Sequence, residues 1–441
     1  MKSTLAEALR SGLDHQFCNV RQQTESLCEP LSPEDMMVQS CPESSPAKWH
    51  LAHTTWFFET FVLSEFAPAY RPFDPDFRWL FNSYYNAVSQ QPIKQLRGSF
   101  SRPSLEDILA YRASVDAAMM RLMRGEIPEQ VERRITLGLH HEQQHQELLA
   151  YDIKNAFWSN PLHPAYRDGA LPESIPAQPV QWIGHEGGLL EIGHSGDGFC
   201  FDNEQPQHKV YLKPFKLASR LVTCGEYLDF MRDGGYERAE LWTRAGWRWL
   251  QEAQVHAPKH WDRDADGTWM TRSMDRIAPV AVDHPVIHVC YHEADAFARW
   301  AGKRLPTEYE WEVAASWDPA ARIPRAYPWG DDEPTRAHAN VDQLSFGTAP
   351  IGAYPCNVSP LGCYGMIGDA WEWTSSDFHG YPGFRAFPYA EYSETFFGTD
   401  YKVLRGGSWA TRPGAIRNTF RNWDFPIRRQ IFSGFRCARD A

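Results

Sequence analysis

The stretch EQVERRITLGLHHEQQHQELLAYDIKNAF, residues 129–157, places Val131, Ile135 and Leu139, then Leu149, Ile153 and Phe157, at four-residue steps around the polar centre HHEQQH. That period describes a helix which buries one face and therefore needs partners. Upstream, LAEALRSGLDHQF (5–17), PAKWHLAHTTWFFETFVLSEF (46–66) and LEDILAYRASVDAAMMRLM (105–123) repeat the same pattern. Four such segments predict a four-helix bundle. Ser45-Pro46 and Pro103-Ser104 mark two helix starts, with Ser as cap or Pro in the first turn. The link FAPAYRPFDPDFRWLFNSYYNAVSQQPIKQLRGSFSR (66–102) is too rich in Pro and aromatics for helix. A crossover of that length in a compact bundle tends to carry function.

Residues 160–182 hold five prolines between Pro161 and Pro179 and read as a linker, after which the pattern changes. GGLLEIG, HKVYLKPFKLASRLVT, HPVIHVC, YKVLRGGSW and SGFRCA are short alternating or aromatic pieces between Gly, Pro and Asp turns. Only CGEYLDFMRDGG (224–235) and YHEADAFARWAGKR (291–304) read as helices there. The expected fold class is α+β in two domains: a helical bundle over 1–165, a Pro-rich linker over 166–182 and an irregular, loop-rich domain over 183–441.

The chain has 441 residues, 44 basic against 56 acidic, and a formal charge of -12. That balance disfavours nucleic acid or an anionic membrane as partner and points to small molecules or proteins. Nine cysteines without CxxC spacing fit free thiols in a reducing cytoplasm. No apolar run approaches the roughly 18 residues of a membrane helix, so the expectation is a soluble, cytoplasmic protein without a membrane partner.

In HHEQQH, His141 and His145 lie one helical turn apart and can reach one ion, while His140 points about 100° away. HExxH is also the signature of zinc peptidases, which need Glu142 as base and a further ligand downstream. Glu147 and Asp152 fit no such extension. A third imidazole is available in KWHLAHTTWFFE, as either His50 or His53, and periodicity does not choose between them. Three facial imidazoles would leave open positions on the ion, as catalysis requires, and imidazole suits zinc, copper, nickel and iron alike.

From GGLLEIG through HPVIHVCYHEADAFARWAGKRLPTEYEWEVAA, YPWGDD, GDAWEWT and VLRGGSW to FSGFRCAR, the second half resembles formylglycine-generating-enzyme-like (sulfatase-modifying-factor) domains, which have a C-type-lectin-like core. Those enzymes use a cysteine pair after RGGS, whereas WATRPGAIRNTFRN follows Ser408 here without any Cys. Joined to a DinB-like bundle carrying HLAH and HEQQH, the chain resembles the ergothioneine-biosynthesis sulfoxide synthases. The resemblance implies an iron(II) centre on His53, His141 and His145, with His50 a bystander. It implies that the sulfur of a cysteine-type thiol, cysteine or γ-glutamylcysteine, is joined to the imidazole C2 of hercynine and oxidised with O2 as co-substrate. A positive ferrous site would also favour the thiolate form of the donor.

Within that resemblance Trp423 and Asp424 match positions that bind hercynine, where aromatic faces and a carboxylate suit a quaternary ammonium. Arg428 stands nearby for the substrate carboxylate, and Gln144 matches a contact to the substrate imidazole. The proton-donating tyrosine has two placements in the family. One lies in the C-terminal domain, where FPYAEYSETFF offers Tyr389 and Tyr392; LFNSYYNAV reads like the other and favours Tyr84 and Tyr85, with Tyr84 ahead and the first pair as substrate contacts. Arg97 and Arg102, then Lys94, are the cations offered to the donor's carboxylate. Some relatives bind Ca2+ in loops of the second domain, which makes calcium a further candidate. The neighbouring readings are an ovothiol- or selenoneine-type synthase, the zinc peptidase, and a ligand-binding module with a structural metal.

Overall fold

The computed structural model describes residues 2–83, 88–167, 174–196 and 198–441. Two compact units emerge: residues up to Tyr166 together with Pro388–Tyr392, and Arg167–Phe387 with Ser393–Ala441. Five residues from deep inside the expected second domain thus pack with the helical unit. No helix of the described residues is long and apolar enough to cross a membrane.

The helical unit contains α1 (Lys2–Cys28), α2 (Ala47–Phe58), α3 (Leu105–Met123) and α4 (Glu129–Ser159). Ser104 caps α3 in a reciprocal box with Asp107, as the sequence suggests. Ser45 does not cap α2; its N–H donates to Asp152 Oδ2 and its hydroxyl accepts from Arg97, so Pro46 alone opens the helix. The α2 helix continues through a π-helical turn at Glu59–Leu63. The crossover, expected to be free of helix, contains one helical turn at Phe77–Leu80 and a 3-10 stretch at Lys94–Ser99.

One buried carboxylate ties the four helices. Glu142 on α4 accepts from Arg21 Nη1 at 2.7 Å, Thr24 Oγ1 at 2.6 Å and Arg112 Nη2 at 2.7 Å. Arg21 reaches on to Thr55 Oγ1 and Arg112 to Thr54 Oγ1, which brings in α2. Burial by itself would raise this carboxyl, but Arg112, Arg21 and the Thr24 hydroxyl outweigh it and hold it at about 2.

The second unit is built from short pieces. Its strands are β1 (Trp182–His185), β2 (Gly188–Ile192), β3 (His208–Leu212), β4 (Phe215–Ala218), β5 (Trp261–Arg263), β6 (Trp269–Arg272), β7 (Ile277–Pro279), β8 (Trp317–Asp318), β9 (Ile323–Pro324), β10 (Trp371–Asp377), β11 (Lys402–Arg405), β12 (Arg421–Asp424), β13 (Ser433–Gly434) and β14 (Ala438–Asp440). They form sheets β1-β4-β14, β12-β11-β10-β13, β2-β3, β5-β6-β7 and β8-β9. HKVYLKPFKLASRLVT is split at Lys213-Pro214 into strands of two different sheets. HPVIHVC forms no strand beyond an isolated bridge at Pro285.

The helices here are α5 (Cys224–Arg232), α6 (Arg244–Ala253), α7 (Tyr291–Trp300) and α8 (Glu308–Ser316), two more than the sequence pattern indicates. Helix α6 buries only Gly246 and Leu250 yet is sharply two-sided, while α8 is buried nearly all round and its Glu308, Glu310 and Glu312 alternate with apolar residues instead of gathering on one exposed face.

Arginine–glutamate pairs stitch the aromatic interior: Arg421 with Glu308, Arg417 with Glu204, Arg436 with Glu372, and Arg405 with Glu312. Arg405 opens the RGGSW motif, where Gly406 has φ 92° and an added Cβ would stand 2.6 Å from the Met366 carbonyl oxygen. Removing one partner of such a buried pair typically costs about 3–5 kcal/mol, because it strands the other charge.

Asp202 holds both ends of the segment that leaves this unit. Its carboxylate accepts from the Phe387 N–H at 3.2 Å and the Ser393 hydroxyl at 2.5 Å, the residues that flank Pro388–Tyr392. Burial pushes its carboxyl up to about 6 despite those two donors. A raised folded value means that this group's contribution is complete below the unfolded value and is lost as pH rises through about 6. Between pH 4 and 7, urea unfolding should therefore show wild type losing up to about 3 kcal/mol relative to Asp202→Asn. Parallel pH profiles for the two proteins would contradict the assignment.

Candidate metal centre

Helices α2 and α4 bring three imidazoles together. One nitrogen from each of His53, His141 and His145 lies within 4.8 Å of the others, and all three side chains are buried. The close helix approach depends on Gly138, one turn before His141. A Cβ there would meet Phe58 Cε1 at 2.5 Å and Phe57 Cε1 at 3.0 Å.

Flat rings hold the imidazoles in place. His53 is sandwiched between Trp49 at 4.5 Å and Trp56 at 5.3 Å, both nearly parallel to it, and the Arg97 guanidinium caps Trp49 at 3.5 Å. His141 stacks on Phe57 at 4.6 Å. Phe57 also packs against Phe61, which lines a cavity of about 510 Å³ together with Glu59, Arg78, Tyr389 and Glu391.

The ring nitrogens show what this cluster suits. His53 Nδ1 lies 2.6 Å from the Phe81 carbonyl oxygen, so its Nε2 carries the lone pair, and that atom is buried without a hydrogen-bond partner. Both nitrogens of His141 are likewise buried and unpartnered. His145 Nδ1 is engaged by His50 Nδ1 at 2.9 Å, which leaves its Nε2 for the cluster. Burial lowers all three, His141 to about 3, so they are held as the neutral imidazoles that ligate metals. Unpartnered buried nitrogens are costly, and a shared cation satisfies them; the donor set fits a divalent transition metal with positions left open.

Glu142 is not available as the base of a zinc peptidase, since both its oxygens are taken by Arg21, Arg112 and Thr24. His50 is more than a bystander: its Nε2 lies 3.2 Å from Asp152 Oδ2, so it bridges His145 to a carboxylate. Neither role is visible in spacing, because each partner sits on another helix.

Gln144 lies in the helical unit with the excursion Pro388–Tyr392, and its Oε1 accepts from the Tyr392 hydroxyl at 2.9 Å. Tyr389 stacks on Phe61 at 4.5 Å. Arg97 is buried, with its amino groups on Ser45 Oγ and Ser83 Oγ, while Arg102 and Lys94 are exposed. Tyr84 and Tyr85 lie outside the described residues. In the second unit, Trp423 stacks on Phe378 at 4.1 Å, and Asp424 pairs with Arg428 at 3.2 Å. Among the described residues no other trio of His, Cys, Asp or Glu converges in this way.

Residues 170–441 match the sulfatase-modifying factor enzyme 1-like domain, and residues 16–150 match the DinB superfamily. The chain is 38% identical to the hercynine oxygenase of Mycobacterium tuberculosis, over 92% of this chain and 93% of that protein. It is 37% identical to the hercynine oxygenase of Mycolicibacterium smegmatis, over 98% and 99%. A formylglycine-generating enzyme from Thermomonospora curvata is 32% identical, over 62% of this chain and 98% of that protein.

The buried carboxylate gives a direct test of the structural role of Glu142. Glu142→Gln should cost about 3–5 kcal/mol by leaving two arginines undercompensated, and should lower the unfolding midpoint of the helical unit by roughly 10 °C. An unchanged midpoint in a calorimetric scan would contradict that role.

Proposed function

Since the chain belongs to the hercynine oxygenase family, we propose that it is an iron(II)-dependent sulfoxide synthase of ergothioneine biosynthesis, with His53, His141 and His145 as the metal ligands. The reaction removes the hydrogen from imidazole C2 of hercynine and the thiol hydrogen from a cysteine-type donor, forms the C–S bond, and places one oxygen atom on sulfur. The other atom of O2 leaves as water with both hydrogens, so the atoms balance. Ferrous iron, when bound, supplies open positions for thiolate and O2 and the redox capacity for both oxidations. The observation that carries this reading is the three-imidazole cluster with unpartnered nitrogens, in a chain whose hercynine oxygenase relatives align over nearly its whole length.

The remaining roles fall to the chain's own side chains. The Trp423 face, backed by Phe378, and the Asp424 carboxylate receive the trimethylammonium of hercynine, and Arg428 receives its carboxylate. Gln144, fixed by the Tyr392 hydroxyl, presents its amide to the substrate imidazole, with Tyr389 alongside on Phe61. Tyr84, or its neighbour Tyr85, delivers the proton during sulfur oxidation. Arg97 and Arg102 are the cations for the donor's carboxylate, which both cysteine and γ-glutamylcysteine possess.

Iron-loaded protein given hercynine, O2 and either cysteine or γ-glutamylcysteine should yield a sulfoxide product detectable by mass spectrometry. His53→Ala should reduce turnover to background, and Trp423→Ala should raise KM for hercynine about tenfold, the scale of one cation–π contact. Full turnover by His53→Ala would overturn the ligand assignment.

A further inference from the structure

We propose that His50 and Asp152 are positioning residues: a buried carboxylate–imidazole–imidazole chain, Asp152–His50–His145, dictates which nitrogen of His145 faces the metal centre. This rests on the metal reading above for its consequence, though not for its geometry. His50 sits on α2 one turn before His53, and Asp152 on α4 two turns after His145, so the chain crosses between the same two helices that carry the ligands. All three side chains are buried. His50 Nδ1 stands 2.9 Å from His145 Nδ1, and His50 Nε2 stands 3.2 Å from Asp152 Oδ2. Asp152 Oδ2 is itself oriented by the Ser45 N–H at 2.9 Å, at the entry to α2.

The direction of this chain follows from what each group can do. A carboxylate only accepts, so His50 Nε2 must be the N–H that donates to Asp152. The other nitrogen of a neutral His50 is then a lone pair, and His145 Nδ1 must be the N–H that donates to it. That leaves the lone pair of His145 on Nε2, the nitrogen free to ligate. A carboxylate at one end therefore selects the ligating tautomer at the other. The three ligands are oriented differently: His53 by the Phe81 carbonyl, His141 by stacking on Phe57 and His145 by this side-chain chain. Only the last selects a tautomer through side chains that substitution can remove.

Asp152→Asn is the silent control: the Ser45 N–H can only donate, so the amide oxygen takes the Oδ2 place and still accepts from His50 Nε2. Asp152→Leu removes the acceptor, leaves His50 able to carry its proton on Nδ1, and so releases His145 from the Nδ1–H form. His50→Leu removes the chain, whereas the amide of His50→Gln can accept from His145 and donate to Asp152.

Anaerobic titration of ferrous ion against a competing chelator, in the full chain, reads the consequence. Asp152→Leu and His50→Leu should bind about 10- to 100-fold more weakly than wild type, the usual loss when a partner behind a ligand is removed. His50→Gln and Asp152→Asn should bind like wild type. Nitrogen chemical shifts of the histidine rings in metal-free protein read the tautomer itself, with His145 expected as Nδ1–H in wild type and with the Nε2–H form populated in Asp152→Leu. Unchanged affinity together with an unchanged His145 tautomer in Asp152→Leu would overturn the proposal. Failure of wild-type protein to bind ferrous ion, with the tautomer change still seen in Asp152→Leu, would refute the metal reading and uphold the chain.

Discussion

The helical unit depends on one carboxylate kept ionised where water does not reach. Glu142 is fully buried, and it stays charged because two guanidinium groups and a hydroxyl converge on it from α1 and α3. The same arginines bond the threonines of α2, so a single charge fixes the spacing of all four helices. Helical geometry does the rest. A residue is turned about 100° from its neighbour, so directing Glu142 toward α1 and α3 directs His141 and His145 toward α2. The motif HExxH is thereby divided between structure and chemistry, with the glutamate holding the bundle and the histidines facing the cluster.

Holding three imidazoles neutral and buried has a cost that the rest of the site partly offsets. Each buried nitrogen without a partner costs about 1–3 kcal/mol, and His53 and His141 carry such atoms. Stacking by Trp49, Trp56 and Phe57 restricts the rings to planes from which their nitrogens converge. Gly138 permits the helix approach that makes convergence possible. A cation shared by the three nitrogens would cancel the penalty, so metal binding and stability of the unit are coupled.

Periodicity was sufficient for the four long helices and for one face shared by His141 and His145, because both rest on local spacing. It was not sufficient for the third ligand, since His50 and His53 are buried on the same short helix and differ only in what they touch across the bundle. The family resemblance, not the spacing, favoured His53. The partners of Glu142 at Arg21 and Arg112 are far away in sequence, so its structural role left no local trace. Helix α8 is hard to read because its glutamates alternate with apolar residues through EYEWEV, a two-residue period that imitates a strand. The excursion of Pro388–Tyr392 into the helical unit, clamped at its base by Asp202, has no signature in composition at all.

The identity of the ligands to the metal is tested most directly by X-ray absorption at the iron edge of anaerobically loaded protein. Three imidazoles from His53, His141 and His145 should account for the protein-derived scattering shell, with the outer-ring scattering characteristic of histidine and the remaining positions filled by solvent oxygen. A shell containing a protein carboxylate or thiolate, or one unchanged when His53 is replaced by alanine, would contradict a three-histidine centre.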